Sequence, residues 1–243
     1  MANIYFRFRQ FTIYQDRCAM KVCTDSCMLG AWTSLKMKDA QKVLDIGAGT
    51  GLLSLLLAQK TNARIDAIEY DADAFEQAMT NIDQSPWRGR IQMIHGDVRN
   101  LKTEPGYDFI ISNPPFYASD LRSPEQKINN ARHGDLLSME ALIISIQNNL
   151  KENGAFSILL PFHRTEYFER LAHDYGYFLQ EKLILRQTPA NKPFRSIVLF
   201  SSKTLKETVQ SEMIIKDEKG KYTMAFIDLM DDFYESKALG ILG

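Results

Sequence analysis

Residues 42–57 read Lys-Val-Leu-Asp-Ile-Gly-Ala-Gly-Thr-Gly-Leu-Leu-Ser-Leu-Leu-Leu, and this stretch decides the fold. Lys42–Ile46 is an apolar run of strand length, and the leucines at 52, 53, 55, 56 and 57 belong to a helix over residues 51–60. Both should be buried. Gly47, Gly49 and Gly51 alternate between them, where glycines let backbone approach a ligand closely. Three glycines alone are weak evidence. Glu69 adds to them: it closes the next strand about 20 residues on, where an acid can hold ribose hydroxyls. The combination reads as a nucleotide site.

The glycine spacing lacks the two-residue gap that places a pyrophosphate on the helix, which argues against a dinucleotide. Asp45 argues the same way, since an acid entering the loop repels phosphates and attracts a sulfonium or ammonium. S-adenosylmethionine carries both cations. Asp97, in His95–Gly96–Asp97, is placed to accept hydrogen bonds from the adenine amino group of such a cofactor, with a turn or helix N-cap as the competing reading. His95 itself reads as a rim histidine.

Further out, Arg64–Glu69 is strand two, Ala72–Asp83 a helix, Ile91–His95 strand three and Tyr107–Ser112 strand four. An amphipathic helix over 138–150 is stopped by Asn153–Gly154; residues 155–160 make strand five, and Thr165–Asp174 is another helix. The alternation implies a doubly wound α/β sheet. Phe178–Arg186 and the run 195–202 are joined too closely for anything but antiparallel pairing, so they form an edge hairpin. A single domain spans 1–243, with 41–205 as core. Residues 1–40, which include Phe6, Arg7, Phe8, Arg9, Phe11, Tyr14 and Arg17, form an extension over the mouth of the site. The tail reads as a strand over 212–216, a turn at Lys219–Gly220 and a helix over 223–234, with no legible role.

Composition sets outer bounds. The chain has 243 residues, 45% hydrophobic and 24% charged, the balance of an ordinary globular protein. With a formal charge of −1, any nucleic-acid site must be a local patch. No apolar run approaches the roughly 18 residues of a membrane helix, and Arg7 and Arg9 interrupt any signal-like segment. A cytoplasmic location is expected. Cys18, Cys23 and Cys27 are odd in number and fit no zinc or iron–sulfur spacing, so reduced thiols and no metal are expected.

The chemistry should lie at the end of strand four, where Asp108–Phe109–Ile110–Ile111–Ser112 runs into Asn113–Pro114–Pro115–Phe116. Consecutive prolines fix the backbone and remove two N–H donors, leaving carbonyls free in a rigid turn. An exocyclic amine is a poor nucleophile because its lone pair is delocalised. The Asn113 side-chain oxygen and the Pro114 carbonyl can each accept one of its N–H groups and aim the lone pair for in-line transfer. Phe116, with Tyr117 beside it, would stack on a flat target turned out of its surroundings.

With these residues in place, the chain resembles class I methyltransferases of the Asn-Pro-Pro-aromatic group, and specifically the bacterial valine tRNA (adenine-37, N6)-methyltransferases. The resemblance runs through residues 11–15, Asp16 to Val22, Thr24–Asp25, Leu29 to Trp32, the glycine loop, Ser85–Pro86–Trp87 and Asn113 to Phe116. It implies a Rossmann-like, mostly parallel seven-stranded sheet with an antiparallel edge hairpin. It further implies S-adenosylmethionine contacts at Asp45, Gly47, Gly49, Gly51, Glu69 and Asp97, with Lys21 and Thr24 at the cofactor's methionine end, and a tRNA substrate. Phe116 replaces the tyrosine usual in adenine-directed members and also occurs in guanine N2 enzymes.

Three function classes follow: transfer to adenine N6 of tRNA; transfer to guanine N2 of rRNA, DNA adenine or a protein glutamine; and a nicotinamide oxidoreductase or silent nucleotide module. The lack of a separate target-recognition domain favours a presented single-stranded loop over duplex DNA. Arg7, Arg9, Arg17, Arg122, Lys127, Arg132, His133, Lys192 and Arg195 are candidates for a positive rim. A monomer is expected.

Overall fold

The apolar run Lys42–Ile46 forms strand β3, buried along nearly its whole length at the middle of the sheet. The structure, a computed structural model, describes residues 3–18, 20–37, 39–114, 137–205 and 207–240. Before β3 come the hairpin strands β1 (Tyr5–Arg7) and β2 (Thr12–Tyr14), and helix α1 (Thr24–Ser34). After it follow α2 (Leu52–Lys60), β4 (Arg64–Glu69), α3 (Ala72–Asp83), β5 (Ile91–His95) and β6 (Tyr107–Ser112). The second half holds α4 (Met139–Asn149), β7 (Leu150–Pro161), α5 (Thr165–Asp174), β8 (Phe178–Arg186), β9 (Arg195–Ser201), β10 (Val209–Ile214) and α6 (Met224–Met230).

The main sheet runs β10-β8-β9-β7-β6-β3-β4-β5. Strands β7, β6, β3, β4 and β5 are mutually parallel, while β9 is antiparallel to both β7 and β8, as the short connection between 186 and 195 demands. β3 lies between β4 and β6, so the strand order reverses there. Doubly wound sheets open a crevice at the carboxyl ends of the strands at such a switch point.

Two helices show why this half is rigid. Residues 52–58 of α2 are buried, and so are Ser26–Ser34 of α1. Helices without a polar face must be covered on every side. The sheet and α1 cover α2, and Gly30 makes the fit possible: a Cβ there would stand 2.6 Å from Leu56 Cδ1.

The structure corrects three sequence-based expectations. The main sheet has eight strands, not seven, because the tail adds β10 parallel to β8, with Val209 opposite Glu181 and Ile214 opposite Arg186. That strand is mostly exposed and carries no alternating apolar face, so backbone pairing with the edge of β8 defines it. β7 begins at Leu150, before Asn153–Gly154, because the preceding helix ends at Asn149, whose side chain donates to the carbonyls of Leu101 and Ser145.

The third concerns residues 1–40. α1 is a core helix rather than a cover, with Thr33 donating to Ser157 on β7. The hairpin leans on the C-terminal segment: Arg9 donates to the Tyr234 carbonyl and pairs with Asp231, and Phe6 and Phe8 pack against Tyr234. Part of the stretch between hairpin and α1, and Ser26 in the first turn of α1, reach the crevice.

Candidate active site

A cavity of about 380 Å³ occupies the switch point, within the usual size of a small-molecule site. Its apolar wall includes Ile46, Leu52, Leu53, Ile68, Ala74 and Val98. At the rim stand Lys21, Glu69, Tyr70, Asp71, Asp97, Arg99 and Asn113. The acids there outnumber the bases, which favours a cationic ligand over a phosphorylated one.

The glycine loop forms the cavity's edge with backbone alone. Gly47 and Gly49 have φ of 72° and 57°, and a Cβ on either would meet nothing within 4 Å. Side chains there would project into open space in a conformation that L-residues rarely adopt. Glu69, at the end of β4, accepts from the Gly49 N–H through Oε2 at 2.8 Å and from the Asp71 N–H through Oε1 at 2.9 Å. The acid therefore braces the loop and also lines the cavity.

Other expected contacts sit elsewhere. Gly51 is the left-handed N-cap of α2, and a Cβ on it would lie 3.5 Å from Ala78 and Ile82 of α3, so its place is in helix packing. Asp45 is fully buried behind the loop and absent from the cavity wall. Its Oδ2 accepts from Ser54 N–H and hydroxyl, at 3.1 and 2.7 Å, tying β3 to α2. Burial pushes its carboxyl up to about 7, with the nearby Glu69 charge adding to the rise. Thr24 opens α1 outside the cavity wall.

Asp97 lines the cavity and also caps the short turn Val98–Asn100 by accepting from the Arg99 N–H. The cap is therefore present in the fold, and the same carboxylate stands at the cavity rim. Hydrogen bonds from the Arg99 guanidinium hold its carboxyl below the usual carboxylate range. His95 is exposed and not among the residues lining the cavity; it stacks on Phe75 and lies within hydrogen-bonding distance of the Tyr70 carbonyl.

Across the cavity, Ser112 donates to the Ile46 carbonyl and pins the end of β6 to β3. The next residues, Asn113 and Pro114, line the cavity. Asn113 Nδ2 donates to Ser26 Oγ at 2.8 Å and reaches Met20 Sδ at 3.7 Å. Pro115, Phe116 and Tyr117 lie outside the described residues, as do Arg122, Lys127, Arg132 and His133 of the expected rim.

Cys18, Met20, Lys21, Val22 and Ser26 reach the cavity because buried amides hold their segment. Gln15 accepts from the Val22 N–H and Gln77 from that of Arg17, while Asn81 bridges both polar groups of the Tyr14 backbone and the Thr50 carbonyl. Sequence reasoning identified Lys21 but missed Met20, Ser26, Tyr70 and Leu137. Tyr70 directly follows the strand-ending acid, a signal that was available; nothing in the pattern marks Ser26 or Leu137. Of the expected basic rim, Arg7, Arg9, Arg17 and Arg195 are ion-paired with Glu235, Asp231, Glu76 and Asp25.

A nucleotide-type crevice at the reversal of a parallel sheet, facing an Asn-Pro turn across the same switch point, defines a Rossmann-like methyltransferase. Comparison with known proteins agrees. Residues 29–177 match the methyltransferase small domain family. In fold the chain is similar to a protein described as a predicted O-methyltransferase from Agrobacterium tumefaciens, with a TM-score of 0.63 and 17% identity over 85% of this chain and 95% of that one. A protein of Dyadobacter fermentans named tRNA1(Val) (adenine(37)-N6)-methyltransferase is 44% identical over 96% of this chain and 98% of its own length. One of the same name from Phocaeicola vulgatus is 40% identical over 96% and 99%. The chain belongs to the tRNA1(Val) (adenine(37)-N6)-methyltransferase family.

Among the described residues no group of His, Cys, Asp and Glu could hold a metal ion, and no helix is long and apolar enough to cross a membrane.

Proposed function

We infer that this chain methylates the exocyclic N6 of adenine-37 in valine tRNA, using S-adenosylmethionine as methyl donor. The observation that carries the reading is the Asn113 amide at the end of β6, turned toward a cavity bounded on its other side by side-chain-free Gly47 and Gly49. Family membership over nearly the full length supports the substrate. A tRNA substrate also favours a cytoplasmic site of action.

The residues present suit the donor. Its net positive charge matches a rim with Glu69, Asp71 and Asp97, and its methionine end matches the open backbone of Gly47 and Gly49 with Lys21 nearby. Glu69 would hold the ribose hydroxyls and Asp97 the adenine amino group. S-adenosylmethionine supplies an electrophilic methyl on a cationic sulfur, which leaves as a neutral thioether when the carbon–nitrogen bond forms. Asn113 Oδ1 and the Pro114 carbonyl accept the two amine N–H groups and keep the nitrogen lone pair out of conjugation. No strong base is needed beforehand, because the amine becomes acidic only after gaining positive charge, and its proton then passes to water.

Incubation with unmodified tRNA and labelled donor, followed by mass spectrometry of the nucleosides, tests the reading. Label in N6-methyladenosine at position 37 is expected. Label in N2-methylguanosine would move the target to guanine, the base that Phe116 leaves open.

A further inference from the structure

Asn113 contributes an amide with two unlike ends, and only one end serves the chemistry. The oxygen accepts an N–H from the target amine; the NH₂ group, turned into the same place, would repel it. Rotating the amide by half a turn exchanges the two at almost no steric cost, so something outside Asn113 has to choose.

The neighbours on the far side of the amide make that choice. Ser26 Oγ lies 2.8 Å from Nδ2 and Met20 Sδ 3.7 Å from it. A thioether sulfur accepts but cannot donate, so the amide atom beside it must be the NH₂. Ser26 has a second contact, 2.8 Å to Cys23 Sγ, in which either atom can donate; in both directions the hydroxyl keeps an oxygen lone pair for Asn113. Burial, with the Asp25 carboxylate beside it, pushes the Cys23 thiol up to about 11, so it stays neutral. Ser26 is itself buried in the first turn of α1, and that helix is packed on all sides, so the acceptor barely moves. Among the described residues Oδ1 has no partner; it is the end left for a ligand.

We propose that Ser26 is a positioning residue for methyl transfer: it holds the Asn113 amide with Oδ1 toward the cavity, so that the target amine meets an acceptor. The inference rests on the methyltransferase reading above. It assigns to a core helix of the N-terminal forty residues a part in the chemistry, exerted through Asn113.

The test uses the full chain with unmodified tRNA and S-adenosylmethionine. Ser26→Ala removes the acceptor; Ser26→Cys keeps nearly the same volume with a much weaker acceptor and guards against a simple packing defect. In both, kcat should fall about tenfold while the Kd for S-adenosylmethionine and the KM for tRNA stay within about twofold. The second readout is coupling. A carboxylate presents oxygen whichever way it turns, so in an Asn113→Asp background the further change Ser26→Ala should alter the remaining rate by less than about twofold.

Full-speed turnover in Ser26→Ala overturns the inference, as does a tRNA KM or donor Kd that rises in step with the loss of kcat. An undiminished penalty in the Asn113→Asp background also overturns it. If that background is inactive, the kcat-against-KM split in Ser26→Cys decides. Failure of the wild-type chain to methylate any tRNA would instead overturn the parent reading, so the two failures are distinguishable.

Discussion

The wall of the cavity formed by β3, β4 and the loop between β3 and α2 works through backbone and one carboxylate; the wall formed by β6 and α1 works through side chains. On the first, Gly47, Gly49 and Glu69 come from consecutive strand ends, and a single short hydrogen bond links them across 20 residues. On the second, Asn113 is oriented by Ser26, 87 residues earlier in the chain. The first wall is therefore built from the ends of two neighbouring strands and the loop that follows the first of them. The target side exists only once distant elements have packed.

The sharpest way to separate the walls is Asn113→Ala. Removing a preorganised acceptor costs on the order of 10²-fold or more in turnover, and affinity for S-adenosylmethionine should stay within several-fold by calorimetry. Near-normal turnover would refute the role. Glu69→Ala attacks the other wall: donor affinity should weaken by about 10- to 100-fold, since hydrogen bonds to a charged group are lost, while kcat at saturating donor changes far less. If kcat falls instead, the division of labour is wrong.

Gly30→Ala probes the joint between the walls, because Gly30 on α1 meets Leu56 on α2. Overpacking there should destabilise the fold by about 1–3 kcal/mol, seen as a lower urea midpoint, and disturb both walls together. The smallest expected effect is a pH dependence. Asp45 titrates at about 7 in the fold, above its ordinary value, so the folded state binds its proton more tightly than the unfolded chain does. Its contribution to stability is complete below about pH 4 and is lost as the pH rises through 7. Urea melts at about pH 5 and about pH 8 should differ less in Asp45→Asn than in wild type; an unchanged difference would remove Asp45 as its source.

Legibility in the sequence follows the same contrast. The strand boundaries 64–69, 91–95, 107–112 and 178–186 were readable because each is a short apolar run ended by a turn signal. β10 was misplaced because its residues are mostly exposed and the edge it joins lies elsewhere in the chain. Asp45 and Gly51 were assigned to the cavity by their place in the motif. The backbone path turns the Asp45 carboxylate toward Ser54 and sets Gly51 against α3, which residue order alone does not reveal.

By itself the sequence determined the parallel sheet, the glycine turn with its acid, and the Asn-Pro strand end, since each is marked by short contiguous runs and by the turn residues that end them. Tertiary structure alone decided which glycines face the cavity, that α1 is core, that the tail completes the sheet, and which end of the Asn113 amide is free. Those outcomes depend on the relative orientation of segments tens of residues apart, and that orientation exists only after the apolar faces of α1, α2 and the sheet have been buried together.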